Sequence, residues 1–134
     1  MKSDEQVCRE LREATEGLLF MSESDYPFEI IKWEGAEEVS PERLRRIAGQ
    51  DATAAPVEER TVEDFFRVAV GEPEWKGKAE LATARRYQEL VRLLEGELAG
   101  VRVYRVGEIN IAIYAVGRSS EGNWLGVSTR VVET

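Results

Sequence analysis

Hydrophobic and polar positions recur along this chain with two periods, one typical of helices and one typical of strands. The first helix is predicted from apolar residues at helical spacing, namely Val7, Leu11, Ala14 and Leu18. Ser3-Asp4 precedes them as an N-cap, and Gly17 stands where the helix would end. A short acidic stretch, Ser22 to Asp25, therefore follows directly on a helix.

Two short helices are predicted in the middle of the chain. Ser40 suits the N-cap of the first and Pro41 its first position, and Gly49 would end it. Its inward-facing residues would be Leu44, Ile47 and Ala48. The second follows Thr61-Val-Glu-Asp64, which resembles a capping box, and its apolar face would consist of Phe65, Phe66, Ala69 and Val70.

The longest helix is predicted over Lys78–Leu98, after a turn-rich connection that contains Trp75. One apolar stripe runs along it, formed by Leu81, Ala84, Tyr87, Val91, Leu94 and Leu98. The earlier stretch from Gln50 to Pro56 is small and weakly patterned, and we expect a flexible loop there.

Strands are predicted from alternating patterns at four places: Phe28–Glu34, Val101–Val106, Ile109–Val116 and Asn123–Val132. The third is apolar on both faces, which indicates a strand buried on both sides. We therefore expect one α+β domain over residues 1–134, folded as a three-layer α/β/α sandwich with a mainly antiparallel sheet. Its last three strands would form an antiparallel meander.

The composition narrows the possible partners. The chain has 134 residues, 18 of them basic and 26 acidic, for a net charge of −8. This balance argues against direct binding to nucleic acid, which requires basic residues, and allows a basic protein partner. Neither a membrane span nor the apolar region of a secretory signal is found, and Cys8 is the single cysteine, so we expect a cytoplasmic protein.

Few residues offer catalytic chemistry. The chain has no histidine, which removes the usual general base and the usual metal ligand. Cys8 could be a low-pKa thiol beside Arg9 and Arg12, but a structural cysteine is the more common case. Glu23 and Asp25 could form a glycosidase-like carboxylate pair, and Ser22 to Asp25 a weak hard-cation site. No cofactor is expected.

Three features suggest binding rather than structure alone. The acidic stretch Ser22 to Asp25 lies between two apolar segments, although its hydroxyls could simply cap the preceding helix. Trp75 lies in a polar turn, where an indole can be a binding anchor. Val131-Val-Glu-Thr134 runs from a strand to the last residue, whose hydroxyl and carboxylate together would suit a cation or an arginine.

Several segments together resemble the nuclease A inhibitor family. These are GLLFMSESDYPFE at Gly17–Glu29, WEG at Trp33–Gly35, VYRVGE at Val103–Glu108 and VSTRVVET at Val127–Thr134. The resemblance runs from Leu11 to the end of the chain and is weakest from Ala36 to Gly71. It implies an α/β/α sandwich that blocks sugar-nonspecific nucleases of the ββα-metal type, which have a basic active site with a divalent metal.

The resemblance also implies roles for individual residues. Glu23 would engage basic residues near the nuclease active site, with Ser24 and Asp25 beside it in the same acidic loop. Thr134, next to Glu133, would reach the catalytic metal of the nuclease, so this chain would supply a metal ligand only to its partner. Trp75 matches an interface tryptophan, whereas Lys76 departs from the family pattern, in which histidine is expected.

Two other functions remain open at this point. The same scaffold could be an acidic binding module for a different basic protein that is not a nuclease, as the departure at Lys76 allows. Alternatively, Glu23 and Asp25 could make the protein an enzyme, although the sequence lacks histidine and any substrate-binding fingerprint. The resemblance favours the inhibitor.

Overall fold

The structure of the protein, a computed structural model, describes residues 3–20, 26–35, 38–48, 56–70, 78–108 and 110–132. Within these ranges the helices are α1 (Asp4–Thr15), α2 (Pro41–Ala48), α3 (Val62–Val70) and α4 (Lys78–Glu97). The strands are β1 (Leu19–Phe20), β2 (Tyr26–Pro27), β3 (Glu29–Trp33), β4 (Val57–Arg60), β5 (Ala99–Val106), β6 (Asn110–Arg118) and β7 (Trp124–Val132). The protein is thus of mixed α+β type, as predicted.

Five strands form one antiparallel sheet in the order β3-β7-β6-β5-β4, and β1 pairs with β2 in a separate two-stranded ribbon. The sequence-consecutive strands β5, β6 and β7 are neighbours, which confirms the predicted meander. β6 is the middle strand, and its residues from Ile111 to Gly117 are all buried. The apolar character of both faces of this segment therefore reflects its central position.

Capping side chains begin three of the helices where the sequence predicted them. Ser3 Oγ accepts a bond from the Gln6 amide (3.3 Å) and the Gln6 side chain accepts one from the Ser3 amide (3.0 Å), which completes a capping box. Ser40 Oγ accepts from the Arg43 amide at 3.1 Å. Thr61 Oγ1 accepts from the Asp64 amide at 3.0 Å.

The hydrophobic interior has two parts, which share the sheet. The larger one combines α1, α3 and α4 with the strands, and its helical members include Val7, Leu11, Phe66, Tyr87, Leu90 and Leu94. The smaller one contains Leu44 of α2, packed with Ile31, Val106, Ala112, Tyr114, Val116 and Trp124. Alternation along β6 sends Ile111, Ile113 and Ala115 into the first and Ala112, Tyr114 and Val116 into the second.

Helix α4 is the longest described helix, at 20 residues, and exposes charged side chains such as Arg85, Arg92 and Glu95. No helix in the described ranges is long and apolar enough to cross a membrane.

Two expectations from the sequence were wrong in detail, and one element was missed. Ile47 does not face inward: it is 40% exposed, because Leu44 and Ala48 already occupy the inner side of α2. The acidic stretch does not follow directly on a helix, because α1 ends at Thr15 and strand β1, which pairs with β2 through Phe20 and Tyr26, comes before it. Strand β4 was not predicted, because Val57-Glu-Glu-Arg60 lacks the alternation of a half-buried strand.

Candidate functional site

All six predicted contact residues, namely Glu23, Ser24, Asp25, Trp75, Glu133 and Thr134, lie outside the described residues, as does Lys76. The structure does describe the residues from which these segments start. Phe20 and Tyr26 border the first segment, Val70 and Lys78 the second, and Val132 the third. The question is therefore whether these borders lie near one another.

The directions of the strands bring the first and third borders to one end of the sheet, which we call the Val132 end. β7 runs from Trp124 to Val132, and β3 runs antiparallel beside it, with Glu29 opposite Ser128. The ribbon strand β2 ends at Pro27, two residues before Glu29, and contacts β7. The root of the acidic segment thus lies beside the second half of the C-terminal strand.

The two helices that border the Trp75 segment extend toward the same end of the molecule. β4 starts opposite Val106, near the Val132 end, and leads at its far end into α3. There the first residues of α3, Val62 and Glu63, share a cavity with Glu95 and Leu98, which lie at the end of α4. Tyr87 of α4 packs against Phe66 of α3 and against Phe28 beside the ribbon. Both helices therefore extend from the far end toward the Val132 end.

Thr129 joins the ribbon to the C-terminal strand. Its side-chain hydroxyl lies 3.0 Å from the carbonyl oxygen of Pro27 and 3.3 Å from that of Tyr26, and it is the donor to both. The residue is 6% exposed, so water competes little for this hydroxyl. A single side chain of β7 therefore fixes the backbone at the root of the acidic segment.

Arg86 of α4 holds the other side of the same root. Its guanidinium Nη2 donates to the carbonyl oxygens of Ala14 (3.0 Å) and Glu16 (2.6 Å) at the end of α1. These carbonyls belong to the last turn, where a helix has no partners of its own for them. Gly17 follows with φ 71°, and the chain then enters β1.

An open groove of about 600 Å³ adjoins this root on the face of the sheet that α2 partly covers. Tyr114 forms part of it, with Glu29 and Arg130 nearby. Burial is the main reason that the pKa of Tyr114 is raised, and the Glu29 carboxylate adds to it while the Arg130 guanidinium opposes it. The described rim therefore carries both signs of charge.

The opposite end of the sheet has a different arrangement, centred on the buried Asp4. Asn123 Nδ2 donates to Asp4 Oδ2 (2.7 Å), and Asn123 Oδ1 accepts from the Gly35 amide (2.9 Å). Burial opposes ionisation of Asp4, but hydrogen bonds with Ser119 and Asn123 outweigh it and lower its pKa. This network ties α1, the end of β3 and the β6–β7 turn together.

The described residues support neither a reactive thiol at Cys8 nor a metal site. Burial is the main reason that the pKa of the Cys8 thiol is raised, which favours a structural cysteine over a low-pKa thiol, as expected from the sequence. Within the described ranges, no group of three or more His, Cys, Asp or Glu side chains could hold a metal ion.

Sequence reasoning missed Thr129 and Arg86. Thr129 had a detectable signal, because it interrupts the inward-facing row Leu125, Val127 and Val131 with a hydroxyl. Arg86 had none: its partners are 70 and 72 residues away, and its position on α4 resembles that of any helix-surface arginine.

A family model described as nuclease A inhibitor-like protein matches residues 5–134, nearly the whole chain and all three of the segments considered above. A search of curated proteins found no match.

Proposed function

The chain belongs to the NuiA family of nuclease A inhibitor-like proteins, and on this premise we propose that it inhibits a sugar-nonspecific DNA/RNA nuclease. The protein is a binding partner rather than an enzyme in this proposal. The family match over residues 5–134 is the observation that carries it. The acidic segment and the C-terminal segment start from a common end of the sheet, which is a second, independent support.

The acidic segment would act on the basic residues of the nuclease active site. A carboxylate pairs with an arginine through two parallel hydrogen bonds, as a phosphate does, so Glu23 is suited to replace the substrate phosphate. Ser24 and Asp25 would add oxygen atoms beside it. The root of this segment is held by Thr129 and Arg86, which favours a fixed position for Glu23.

The C-terminal residues would act on the catalytic metal. Hard divalent cations prefer oxygen ligands, and the side-chain hydroxyl of Thr134 supplies one. Glu133, next to it, would add negative charge near that cation. Because Thr134 follows Val132 by two residues, the end of β7 sets the region that it can reach. This chain would then carry no metal of its own.

The third segment would contribute an aromatic anchor. Tryptophan is enriched among the residues that dominate binding energy. Trp75 falls in the sequence between α3 and α4, and both helices extend toward the Val132 end.

The fold that we propose to carry all three segments is a three-layer α/β/α sandwich. Its support is the assignment of α1, α3 and α4 to one apolar cluster and of α2 to the other.

The charge of the whole chain fits a basic target. A net charge of −8 attracts a basic cleft at a distance and raises the association rate, most strongly at low salt. Association should therefore slow as salt is added, while the dissociation rate changes less.

Titration of a nuclease of the ββα-metal type with this protein tests the proposal. We expect loss of activity that is complete at one inhibitor per nuclease. Glu23→Ala and removal of Thr134 should each weaken inhibition by roughly tenfold or more, the size expected for a central interface residue. Their urea unfolding midpoints should match that of the parent protein, since both changes spare the described interior.

Glu63→Ala is the matched control for Glu23→Ala. It removes the same charge from an exposed position at the start of α3, at the end of the sheet away from Val132. We expect inhibition within about twofold of the parent. If Glu63→Ala and Glu23→Ala have equal effects, only net charge matters and the assignment of Glu23 is wrong.

The departure at Lys76 favours a second candidate, an acidic module that binds a different basic protein. A lysine beside Trp75 would repel a basic nuclease surface at short range. Capture of partners from the source cell separates the two functions. If the captured protein has no nuclease activity and this chain inhibits no nuclease, the binding-module function would be favoured over the inhibitor.

A further inference from the structure

Strand β7 carries one polar side chain in a row that otherwise faces the apolar interior. Leu125, Val127 and Val131 belong to the larger hydrophobic cluster, and Thr129 lies between them, with 6% of its surface exposed. Placing a hydroxyl there costs free energy unless it is hydrogen-bonded. The position would accept valine without loss of strand propensity, so the hydroxyl needs a reason.

The reason is a link between two segments that are far apart in sequence. The hydroxyl of Thr129 faces the carbonyl oxygens of Pro27 (3.0 Å) and Tyr26 (3.3 Å), about one hundred residues earlier. Its single proton is shared between them or directed to one at a time. Tyr26 and Pro27 form β2, and Tyr26 pairs with Phe20 across the ribbon that leads to the acidic segment.

We propose that Thr129 is a positioning residue, which clamps the β1–β2 ribbon to β7 and thereby sets the separation between Glu23 and Thr134. The inference rests on the proposed function. Glu23 is three residues from Tyr26 and Thr134 is five residues from Thr129, so a short stretch of chain joins each contact group to the clamp. It touches neither the nuclease nor its metal.

The physical advantage of such a clamp is preorganisation. Two groups that must bind one active site together contribute most when their separation is fixed before binding, because little conformational freedom is then lost. Without the clamp each group can still bind, but the second no longer benefits fully from the first. Loss of the hydroxyl should therefore weaken inhibition only when both groups are present.

Thr129→Val removes the donor and keeps a β-branched side chain. We expect inhibition roughly five- to tenfold weaker than in the parent protein, the loss expected for a buried hydrogen bond. Thr129→Ser, which restores a hydroxyl, should recover inhibition to within about twofold. The control is Ser128→Ala on the same strand, which removes a hydroxyl from the opposite face of the sheet and should change nothing measurable.

The same substitution in a protein that lacks Thr134 distinguishes positioning from general stability. There we expect Thr129→Val to cost less than about twofold, because only one contact group remains to be positioned. An equal loss in both backgrounds would overturn the clamp. So would a Thr129→Val protein that inhibits as well as the parent, or a Thr129→Ser protein as weak as Thr129→Val.

Amide hydrogen exchange separates failure of the clamp from failure of the proposed function. In Thr129→Val the amides of Phe20 and Tyr26 should exchange roughly tenfold faster, while those of Val103 and Val116 keep the parent rates. If the parent protein inhibits no nuclease, the proposed function is wrong, and exchange alone decides the clamp. Unchanged exchange at Phe20 and Tyr26 would overturn the clamp whatever the inhibition assay shows.

Discussion

At the end of the sheet where β7 begins, a buried carboxylate and an amide side chain hold three elements together, through Asp4 and Asn123. At the Val132 end the corresponding links run from Thr129 and Arg86 to backbone carbonyls. The first network joins α1, the end of β3 and the β6–β7 turn, and none of the residues proposed for binding belongs to it. The second fixes the roots of segments that we propose for binding. Loss of a link in the Asp4–Asn123 network should therefore lower stability, and loss of a link from Thr129 or Arg86 should weaken inhibition.

The largest effect should come from a change that damages both ends at once. A Cβ at Gly126 would lie 1.8 Å from the Ala115 carbonyl oxygen, which belongs to backbone and cannot move aside. Gly126→Ala must therefore separate β6 from β7, and we expect a loss of more than about 3 kcal/mol in the free energy of unfolding. Urea denaturation measures it, and inhibition should fall with it.

Gly96→Ala is the matched control for this substitution. A Cβ at Gly96, which is exposed within α4, would point into open space, with no atom within 4 Å beyond the neighbouring residues and the backbone of the helix itself. Alanine there should stabilise the protein by about 0.5–1 kcal/mol, because it favours the helix. Equal stability of the two variants would contradict the close contact between β6 and β7.

Asp4→Asn should damage only the end where β7 begins. Because hydrogen bonds lower the pKa of Asp4 below 3.8 despite its burial, the ionised form stabilises the fold. That contribution is present above pH 3.8 and is lost as the pH falls through the lower pKa of the folded protein. We expect a loss of about 1–2 kcal/mol at neutral pH, measured by urea denaturation, with unchanged inhibition.

The pH series makes this prediction specific. The difference in stability between the parent protein and Asp4→Asn should narrow as the pH is lowered below 3.8, because the parent then loses the same contribution. A difference that stays constant over this range would show that the carboxylate charge is not responsible.

Arg86→Met should have the smallest effect on stability and a larger one on inhibition. It leaves the carbonyls of Ala14 and Glu16 without the guanidinium and keeps an aliphatic side chain on α4. We expect roughly 1 kcal/mol of destabilisation, reduced by partial exposure, and several-fold weaker inhibition. Arg85→Met, one residue earlier on an exposed position, is the control and should inhibit like the parent protein.

The sequence predicted those parts of the fold that have a local cause. Ser3 and Thr61 cap helices through residues only three positions away, and the apolar character of β6 on both faces indicated its central place. Strand β4 was not predicted, because three of its four side chains are charged, as is common on edge strands, while only its backbone pairs with β5. Ile47 was assigned inward from spacing alone, which cannot show how wide the covered face of a helix is.

The candidate site also has one part that the sequence indicated, the contact residues, and one part that it did not, the links that hold them. Residue chemistry drew attention to the acidic stretch, Trp75 and Thr134, and resemblance to a family supplied their expected roles, which no periodicity could have indicated. The links that hold their surroundings depend on tertiary structure. Arg86 acts across 70 and 72 positions of sequence and Thr129 across 102 and 103, and both act on backbone oxygens, which every residue has. Such partners carry no signature in the sequence of the segment that they hold.

The distance between Glu23 and Thr134 is the most direct measurement of whether both groups serve one active site. A nitroxide on Thr134→Cys, in a Cys8→Ser background, broadens the amide signals of residues within about 25 Å, the span of a standard interface. We expect the amide signal of Glu23 to broaden. The amide signal of Glu121 should stay sharp, because the length of β7 separates Glu121 from the label by roughly 30 Å. A sharp Glu23 signal would contradict a shared binding surface.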